Sequence, residues 1–438
     1  MGDVMKFVTN IDKKKYDSFV KKNKKSHFLQ SYAWGEFRGT LGFTSHFVGL
    51  TDDNDNLVCT ALLIEKHLPF GLSYLYSPRG FVIDYQDKAL LEEFTNHIKE
   101  FAKTRKAIFI KIDPDIVIKK YNYLDEEQEL DYNPNEIFNN ITSLGFNHLG
   151  FTKNFETMEP RYTFRIDLTQ NIYDIESKFS KTTMQRIKKG EDLGVKVRIG
   201  TIDDIESFYK LMELTESRKD FVSHDLDYYK KLYEIYNKDN KANIFLGSID
   251  CDYIIDKYKT DLTRVELELN PLKEEENPSK SAKVKINELE KRVTKLNEQI
   301  EEYSKYKEEY GNEIILSAHF IIEYADKAWV LYAGNHNILS QSYANYKTYY
   351  EHLKYCKDND IRIYDQFGTI GDLSEDNPRY GLHMFKKKVG GDYLEFIGEF
   401  DLVTNKFMYF IFTKLVPIYR NMVRNISKKK IKEKVGDK

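Results

Sequence analysis

The chain has 438 residues, of which 41% are hydrophobic and 31% charged, and its formal net charge is −3. That length exceeds a single ordinary core, so two or more domains are expected. The near-neutral balance excludes the global positive field of a general nucleic-acid binder and leaves only local patches for anions. The three cysteines, Cys59, Cys251 and Cys356, lie far apart with no CxxC pair. They argue against a disulfide framework or a zinc ribbon and suit a reducing compartment. With no secretory signal or membrane-length apolar run visible, a cytoplasmic protein is expected.

Residues 1–27 read as a short strand and a Lys-rich amphipathic helix. In Phe28-Leu29-Gln30-Ser31-Tyr32-Ala33-Trp34-Gly35-Glu36-Phe37-Arg38, the apolar residues fall at helical spacing, which places Trp34 in a core. Arg38, four residues on, carries an always-charged fork suited to phosphate. Residues 44–65 alternate like two strands around a turn at Asp52–Asn56. A strand over 74–77, a helix over 87–104 and a buried strand from Ala107 to Ile112 follow, the last ending at Asp113-Pro114. The acidic, Tyr-rich stretch 119–135 reads as a surface excursion. A strand around 162–168 then opens a second unit.

The next helix places positions 178, 181, 185, 188 and 189 on one face. Lys181, Arg186, Lys188 and Lys189 are read either as a solvated basic face or as contacts to the phosphates of a nucleic acid or a diphosphate. Arg218 stands near a helix end, where an arginine commonly caps carbonyls. Farther on, Ile255, Tyr258, Leu262, Val265, Leu269 and Leu272 step by three and four, as do Ile286, Leu289, Val293, Leu296, Ile300 and Tyr303. Pro271 and Asn277-Pro278-Ser279 interrupt the two runs, so the pattern predicts an antiparallel coiled-coil hairpin. Past it come a strand and turn carrying Tyr332 and a helix with Tyr343 near its start. A buried strand then runs into a Gly-rich loop, Tyr364-Asp365-Gln366-Phe367-Gly368-Thr369-Ile370-Gly371, followed by Gly381-Leu382-His383-Met384-Phe385-Lys386. Open α/β folds place ligands where strand ends meet such loops.

The order Tyr-Asp-x-x-Gly, Gly-Leu-x-x-Phe-Lys, Gly-Gly and Ile397-Gly398-Glu399-Phe400-Asp401 resembles the FemABX family of peptidyltransferases. Gln30, Trp34 and Arg38 match its Gln-x-x-x-Trp-x-x-x-(Lys/Arg) pattern. Pro78-Arg79-Gly80 and Pro160-Arg161-Tyr162-Thr163 match two further segments, whereas Lys181–Lys189 fits only partly, with Met184 or Gln185 where an Arg is expected. The resemblance covers nearly the whole chain, including the inserted hairpin. It implies an α/β (α+β) protein of two GNAT-like acyltransferase domains. Domain 1 would span 1–158 and be completed by 393–438. Domain 2 would span 159–250 and 313–392, with the coiled-coil arm at 251–312.

The implied activity is transfer of an amino acid from aminoacyl-tRNA to the stem-peptide amine of a peptidoglycan precursor, lipid II or UDP-MurNAc-pentapeptide. No cofactor is implied beyond the aminoacyl-tRNA co-substrate. Lys386 is implied as the catalytic cation. Trp34, Arg38, Arg218, Tyr332, Tyr343, Tyr364 and Asp365 are implied as substrate contacts, and Asp113, Asp365 and Glu399 are candidates for a base. The ester is already activated, so the protein mainly orients reactants and stabilises charge. A lysine-type amine still needs a base, because freeing it at pH 7 costs roughly 4–5 kcal/mol. The basic, amphipathic tail from Arg420, with Arg424 and Lys428 to Lys430, suits peripheral contact with an anionic membrane face. The chain has no His-Glu-x-x-His, Gly-x-Ser-x-Gly or Walker motif. An acetyl-CoA-dependent acyltransferase is the alternative, although no clean phosphate-binding (Gln/Arg)-x-x-Gly-x-(Gly/Ala) loop is present. A non-catalytic coiled-coil adaptor is a third reading.

Overall fold

The computed structural model describes residues 5–218 and 223–415. The basic tail from Arg420 lies outside the described residues. The described chain folds around two mixed sheets, each with one parallel strand pair among antiparallel ones, as two GNAT-like domains require. In spatial order the first sheet is Lys6–Thr9, Thr44–Thr51, Leu57–His67, Ser73–Ser77, Ala107–Ile112, Phe400–Val403 and Phe146–His148. Its parallel pair is Ser73–Ser77 with Ala107–Ile112. The second sheet runs Lys196–Ile199, Ala242–Asp250, Glu313–Tyr324, Lys327–Asn335, Ile363–Asp365, Tyr162–Asp167, Asp392–Phe396, Val117–Tyr121 and Glu127–Gln128. There the parallel pair is Lys327–Asn335 with Ile363–Asp365.

The two sheets exchange segments. Val117–Tyr121, expected in a surface excursion, pairs with Asp392–Phe396 at the edge of the second sheet. The return to the first sheet, expected from about residue 393, begins only at Phe400. Lys120 and Asp392 close an ion pair at 2.9 Å between those strands, so a charged, Tyr-rich stretch becomes a half-solvated strand beside the two-residue edge strand Glu127–Gln128.

Helix Tyr32–Thr40 is started by Ser31, whose Oγ accepts the Trp34 N–H at 3.0 Å. It lies close on the first sheet because Gly35 faces Phe47; a Cβ there would stand 2.4 Å from the Phe47 ring. Gln30, just before the helix, is fully buried. Its amide donates to the Pro78 carbonyl (2.6 Å) and the Ser77 hydroxyl (3.1 Å) and accepts the Leu62 N–H (2.9 Å).

One hydrophobic core runs through both domains. Phe28, Trp34 and Phe37 join Phe208, Tyr229, Tyr236, Phe320 and Trp329. Phe28 packs on Trp34, Tyr236 and Trp329 with ring centroids 5.1–6.5 Å apart.

The inserted segment is a helical hairpin of Cys251–Lys273 and Lys280–Tyr310. Its antiparallel sense is set by Tyr258 beside Gln299 and by ion pairs Lys273–Glu290 (2.6 Å) and Lys307–Asp252 (2.7 Å). The stepped residues Tyr258, Val265, Leu269, Leu289, Leu296 and Tyr303 are buried between the helices. Pro271 does not end the first helix, which continues to Lys273. The carbonyl that loses its partner belongs to Leu267, whose side chain is exposed, so water can take its place. Ser279 caps the second helix through the Ala282 N–H, and Gly311, at φ +88°, ends it. No helix among the described residues is long and apolar enough to cross a membrane.

Replacing Gln30 with Ala strands a buried N–H and a buried carbonyl at the root of the Trp34 helix. A loss of about 2–4 kcal/mol in unfolding free energy is expected, measured as a lower urea midpoint at an unchanged slope.

Candidate active site

A cavity of about 490 Å³ opens in the seam between the domains. Trp34 and Arg38 line it from consecutive turns of one helix, with Tyr228 and Tyr332 opposite and Glu159, Pro160 and Phe367 on a third wall. The Tyr228 and Tyr332 hydroxyls are 3.0 Å apart. The Arg38 guanidinium lies 4.0 Å from the Phe43 ring centre, and its Nε is buried with no hydrogen-bond partner. No described carboxylate stands within ion-pairing distance of it, so its charge is free for an anion.

The carboxylates around this cavity divide into paired and unpaired groups. Glu399 is bound by Lys111 at 3.0 Å and by the Met158 N–H at 2.5 Å. Asp365 receives Arg165 Nε at 2.7 Å, the Thr163 hydroxyl at 2.5 Å and the Phe367 N–H at 2.8 Å. Both are therefore fixed by donors, and neither is a free base. Asp113 accepts the Arg79 N–H (2.7 Å) and the Tyr76 hydroxyl (2.9 Å) but no cation. Burial pushes its pKa up, Arg79 opposes the rise and the charge of Glu399 adds to it. The Glu159 carboxylate takes no side-chain hydrogen bond among the described residues. Burial also raises Glu159 well above the ordinary carboxylate range, with repulsion from Asp113 next and Arg79 and Arg38 opposing. Two carboxyls with raised, mutually repelling charges share one region, and Tyr76, which lines the cavity, links Asp113 to it. Glu159 was not among the sequence candidates. It stands directly before the Pro160-Arg161 segment, but its significance is a lack of partners that only the fold reveals.

Lys386 occupies a different role from the substrate cation expected of it. Its Nζ donates to the carbonyls of Gln366 (2.7 Å), Phe367 (2.8 Å) and Gly368 (2.7 Å). An ammonium has three protons, and all three are used. Burial lowers its pKa to about 7, with the charge of Asp365 opposing. Lys386 thus holds the loop that carries Phe367, itself at φ +56°, against the cavity. Gly368 allows the loop its close approach, since a Cβ there would meet Pro160 at 2.4 Å.

Other candidates are dispersed. Tyr364 is a correction: it is fully buried in the second domain, where its hydroxyl meets His352 Nδ1 at 2.8 Å. Asp365 next to it faces the seam, since adjacent strand residues point to opposite sides. Tyr343 lies with the basic helix, its ring 5.4 Å from Arg186 and 5.3 Å from Lys189, and lines no part of the cavity. Arg186 also donates to the Tyr346 hydroxyl. The single helical face expected from 178 to 189 is broken, because helix Ile172–Ser177 ends at Lys178 and Ser180 caps a new helix, Lys181–Asp192. Lys181 and Lys188 are solvent-exposed. Arg218 caps its own helix through the Leu214 carbonyl (2.9 Å) and reaches the Asn335 carbonyl, outside the cavity. Phe221, three residues after Arg218, lies outside the described residues.

Two fused GNAT-like domains place a free arginine and two raised carboxylates in their seam, and comparison with known proteins makes the protein an aminoacyltransferase. The FemAB family model matches residues 11–416, and the chain belongs to that family. A Lipid II:glycine glycyltransferase of Staphylococcus haemolyticus (strain JCSC1435) is 30% identical over 427 residues, covering 96% of this chain and 98% of that protein. The Staphylococcus aureus (strain MRSA252) protein of the same name is 28% identical over 429 residues, with the same coverage. The crystal structure of FemX superposes with a TM-score of 0.76 at 26% identity, over 92% of this chain and 98% of that one.

Replacing Lys386 with Met removes the donor from three carbonyls at once. Hydrogen bonds to charged groups contribute about 1.5–3 kcal/mol and do not add. A stability loss of about 2–4 kcal/mol is expected, with faster proteolysis inside Tyr364–Gly371. Unchanged stability and protection would show that the loop does not depend on this clamp.

Proposed function

We propose that this protein transfers an amino acid from aminoacyl-tRNA to the stem-peptide amine of lipid II, building a peptidoglycan cross-bridge. The single observation that carries the reading is the Glu159–Arg38 cavity: an unpaired carboxylate with a raised pKa, beside an unpaired guanidinium, in a chain of the FemAB family. The glycyltransferase relatives, matched end to end, supply the substrate class.

The acceptor's diphosphate pairs with Arg38, a fork suited to phosphate oxygens. Its amine enters as an ammonium and faces Glu159. The carboxylate accepts a proton, and the freed amine attacks the ester carbonyl. The new bond is C–N and the broken bond is the ester C–O. The proton held on Glu159 then passes to the departing ribose oxygen, and the freed carboxylate takes the second proton that the nitrogen sheds to become a neutral amide and releases it to solvent. A base whose pKa approaches neutrality suits both halves of this exchange, since it must both take and give up protons. Asp113 and Tyr76 hold the charge balance behind it. Trp34, Tyr228 and Tyr332 exclude water and orient the stem peptide.

The test is a transfer assay with purified protein, bulk tRNA charged with labelled amino acids, and lipid II. Label is expected on lipid II. Glu159→Gln is expected to lower kcat by about 10²–10⁴-fold, with folding intact. The wild-type rate should rise with pH through a midpoint well above the ordinary carboxylate value of about 4, and that limb should vanish in the variant. Arg38→Ala is expected to raise KM for lipid II by about tenfold or more, equivalent to at least about 1.4 kcal/mol. Absence of transfer from every charged tRNA would overturn the reading.

A further inference from the structure

A second hollow, larger than the cavity around Glu159, lies elsewhere in the described structure. It is an open cleft of about 880 Å³ at another mouth of the seam, with walls from both domains. Seven cationic side chains and three carboxylates line it, although the whole chain is slightly acidic. Several of these charges are already matched. Lys120 pairs with Asp392 at 2.9 Å, and Arg165 is held by Asp115 and Asp365, each at 2.7 Å. Of the other two carboxylates, Asp167 accepts from Thr169, and Asp326 acts on Lys327 through its charge.

Four cations remain without a carboxylate partner: Lys21, Lys22 and Lys24 from the first domain and Arg362 from the second. Between them stands Lys327, whose side chain is almost wholly buried at 7% exposure. Its Nζ donates to the carbonyls of Lys24 (2.8 Å) and Ser26 (2.9 Å), which leaves one of its three protons without an acceptor in a cleft that it lines. A buried ammonium with an unused donor beside a row of free cations calls for an anion.

The free cations come from separate segments of the two domains, Lys21 to Lys24 and Arg362, and several cations from separate segments suit a chain of phosphates better than a single one. Tyr132, Leu130 and Val117 add an apolar wall of the sort on which bases pack. Among the described residues no exposed large hydrophobic side chain lines this cleft, so it lacks the insertion surface that a bilayer would use. Arg165 lines both this cleft and a small hollow bounded by Pro160 and Phe367, and those two residues also wall the Glu159 cavity. The cleft therefore belongs to the same seam as the chemistry.

We infer that this cleft binds the phosphodiester backbone of single-stranded RNA, with Lys22, Lys24, Lys327 and Arg362 contacting successive phosphates. The inference rests on the proposed use of an aminoacyl-tRNA donor and names where that donor's unpaired strand docks.

The experiment measures fluorescence anisotropy of a labelled single-stranded RNA oligonucleotide titrated with the full chain across a salt series. Wild type is compared with the triple variant Lys22→Glu, Lys24→Glu, Arg362→Glu, all exposed positions, with thermal melts as the folding control. Binding at least tenfold weaker is expected, with a log–log salt slope shallower by about 2, as the loss of three phosphate contacts at about 0.7 each predicts. Equal affinity and slope in the two proteins would overturn the inference. So would retention of RNA binding by a variant that no longer binds phosphatidylglycerol vesicles, which would assign the cleft to lipid. If the wild type transfers label from charged tRNA while the variant binds RNA normally, the docking site is wrong and the transferase reading stands. If no charged tRNA supports transfer, the transferase reading fails on its own measurement.

Discussion

The continuous aromatic core between the domains is the constraint on which the rest depends. Phe28 and Trp34 come from the first domain and Tyr236, Phe320 and Trp329 from the second, and all are buried. Fully burying a large apolar side chain contributes about 1.5–3 kcal/mol, whereas an exposed ion pair contributes about 0–1 kcal/mol. Packing, not charge, therefore sets how the two sheets meet. A seam held this way can leave some of its charged groups unmatched. Arg38 and Tyr332 face each other across the cavity because the helix carrying Trp34 is locked against helix Leu226–Asn237.

Strand exchange adds a second constraint. Val117–Tyr121 leaves the first sheet's unit to pair in the second, and Phe400–Val403 returns the other way. Arg165 bridges Asp115 just before the first crossing to Asp365 of the second sheet. The Arg165 pair with Asp115 holds that carboxylate well below the usual range, even though burial alone would raise it. The two sheets thus cannot shift relative to one another without breaking a desolvated ion triad, which is far more costly than breaking a solvated pair.

Periodicity made much of this legible in the sequence. Helical spacing placed Trp34 and Arg38 on one face, and three-and-four stepping located the arm, because both signals are local. The misreadings have physical causes. Tyr364 and Asp365 were read together, yet a strand sends neighbours to opposite faces, one into the second core and one into the seam. The function of Lys386 depends on a loop that curls through a left-handed residue at Phe367, so that three carbonyls converge on one amine. Nothing in the order Gly-Leu-x-x-Phe-Lys announces that convergence. Pro271 was read as a stop, but so near a helix end the missing bond falls to solvent.

Glu159 is the instructive omission. A carboxylate's chemistry is decided by what lies around it, and the seam offers a direct comparison. Glu399, Asp365, Asp115 and Glu395 each meet a lysine or arginine. Among these neighbours Asp113 and Glu159 have no such partner, and both are pushed toward the neutral form. Each unit of that shift corresponds to about 1.4 kcal/mol against the charged state, a cost that a glutamine at 159 would remove. The packed seam offsets the cost without needing the charge. In the proposed reaction the missing counter-ion is the acceptor's own ammonium: it pairs with Glu159 on arrival and loses a proton to it as the bond forms. A lysine at that position would stabilise the empty protein and leave the carboxylate too weak a base for the step.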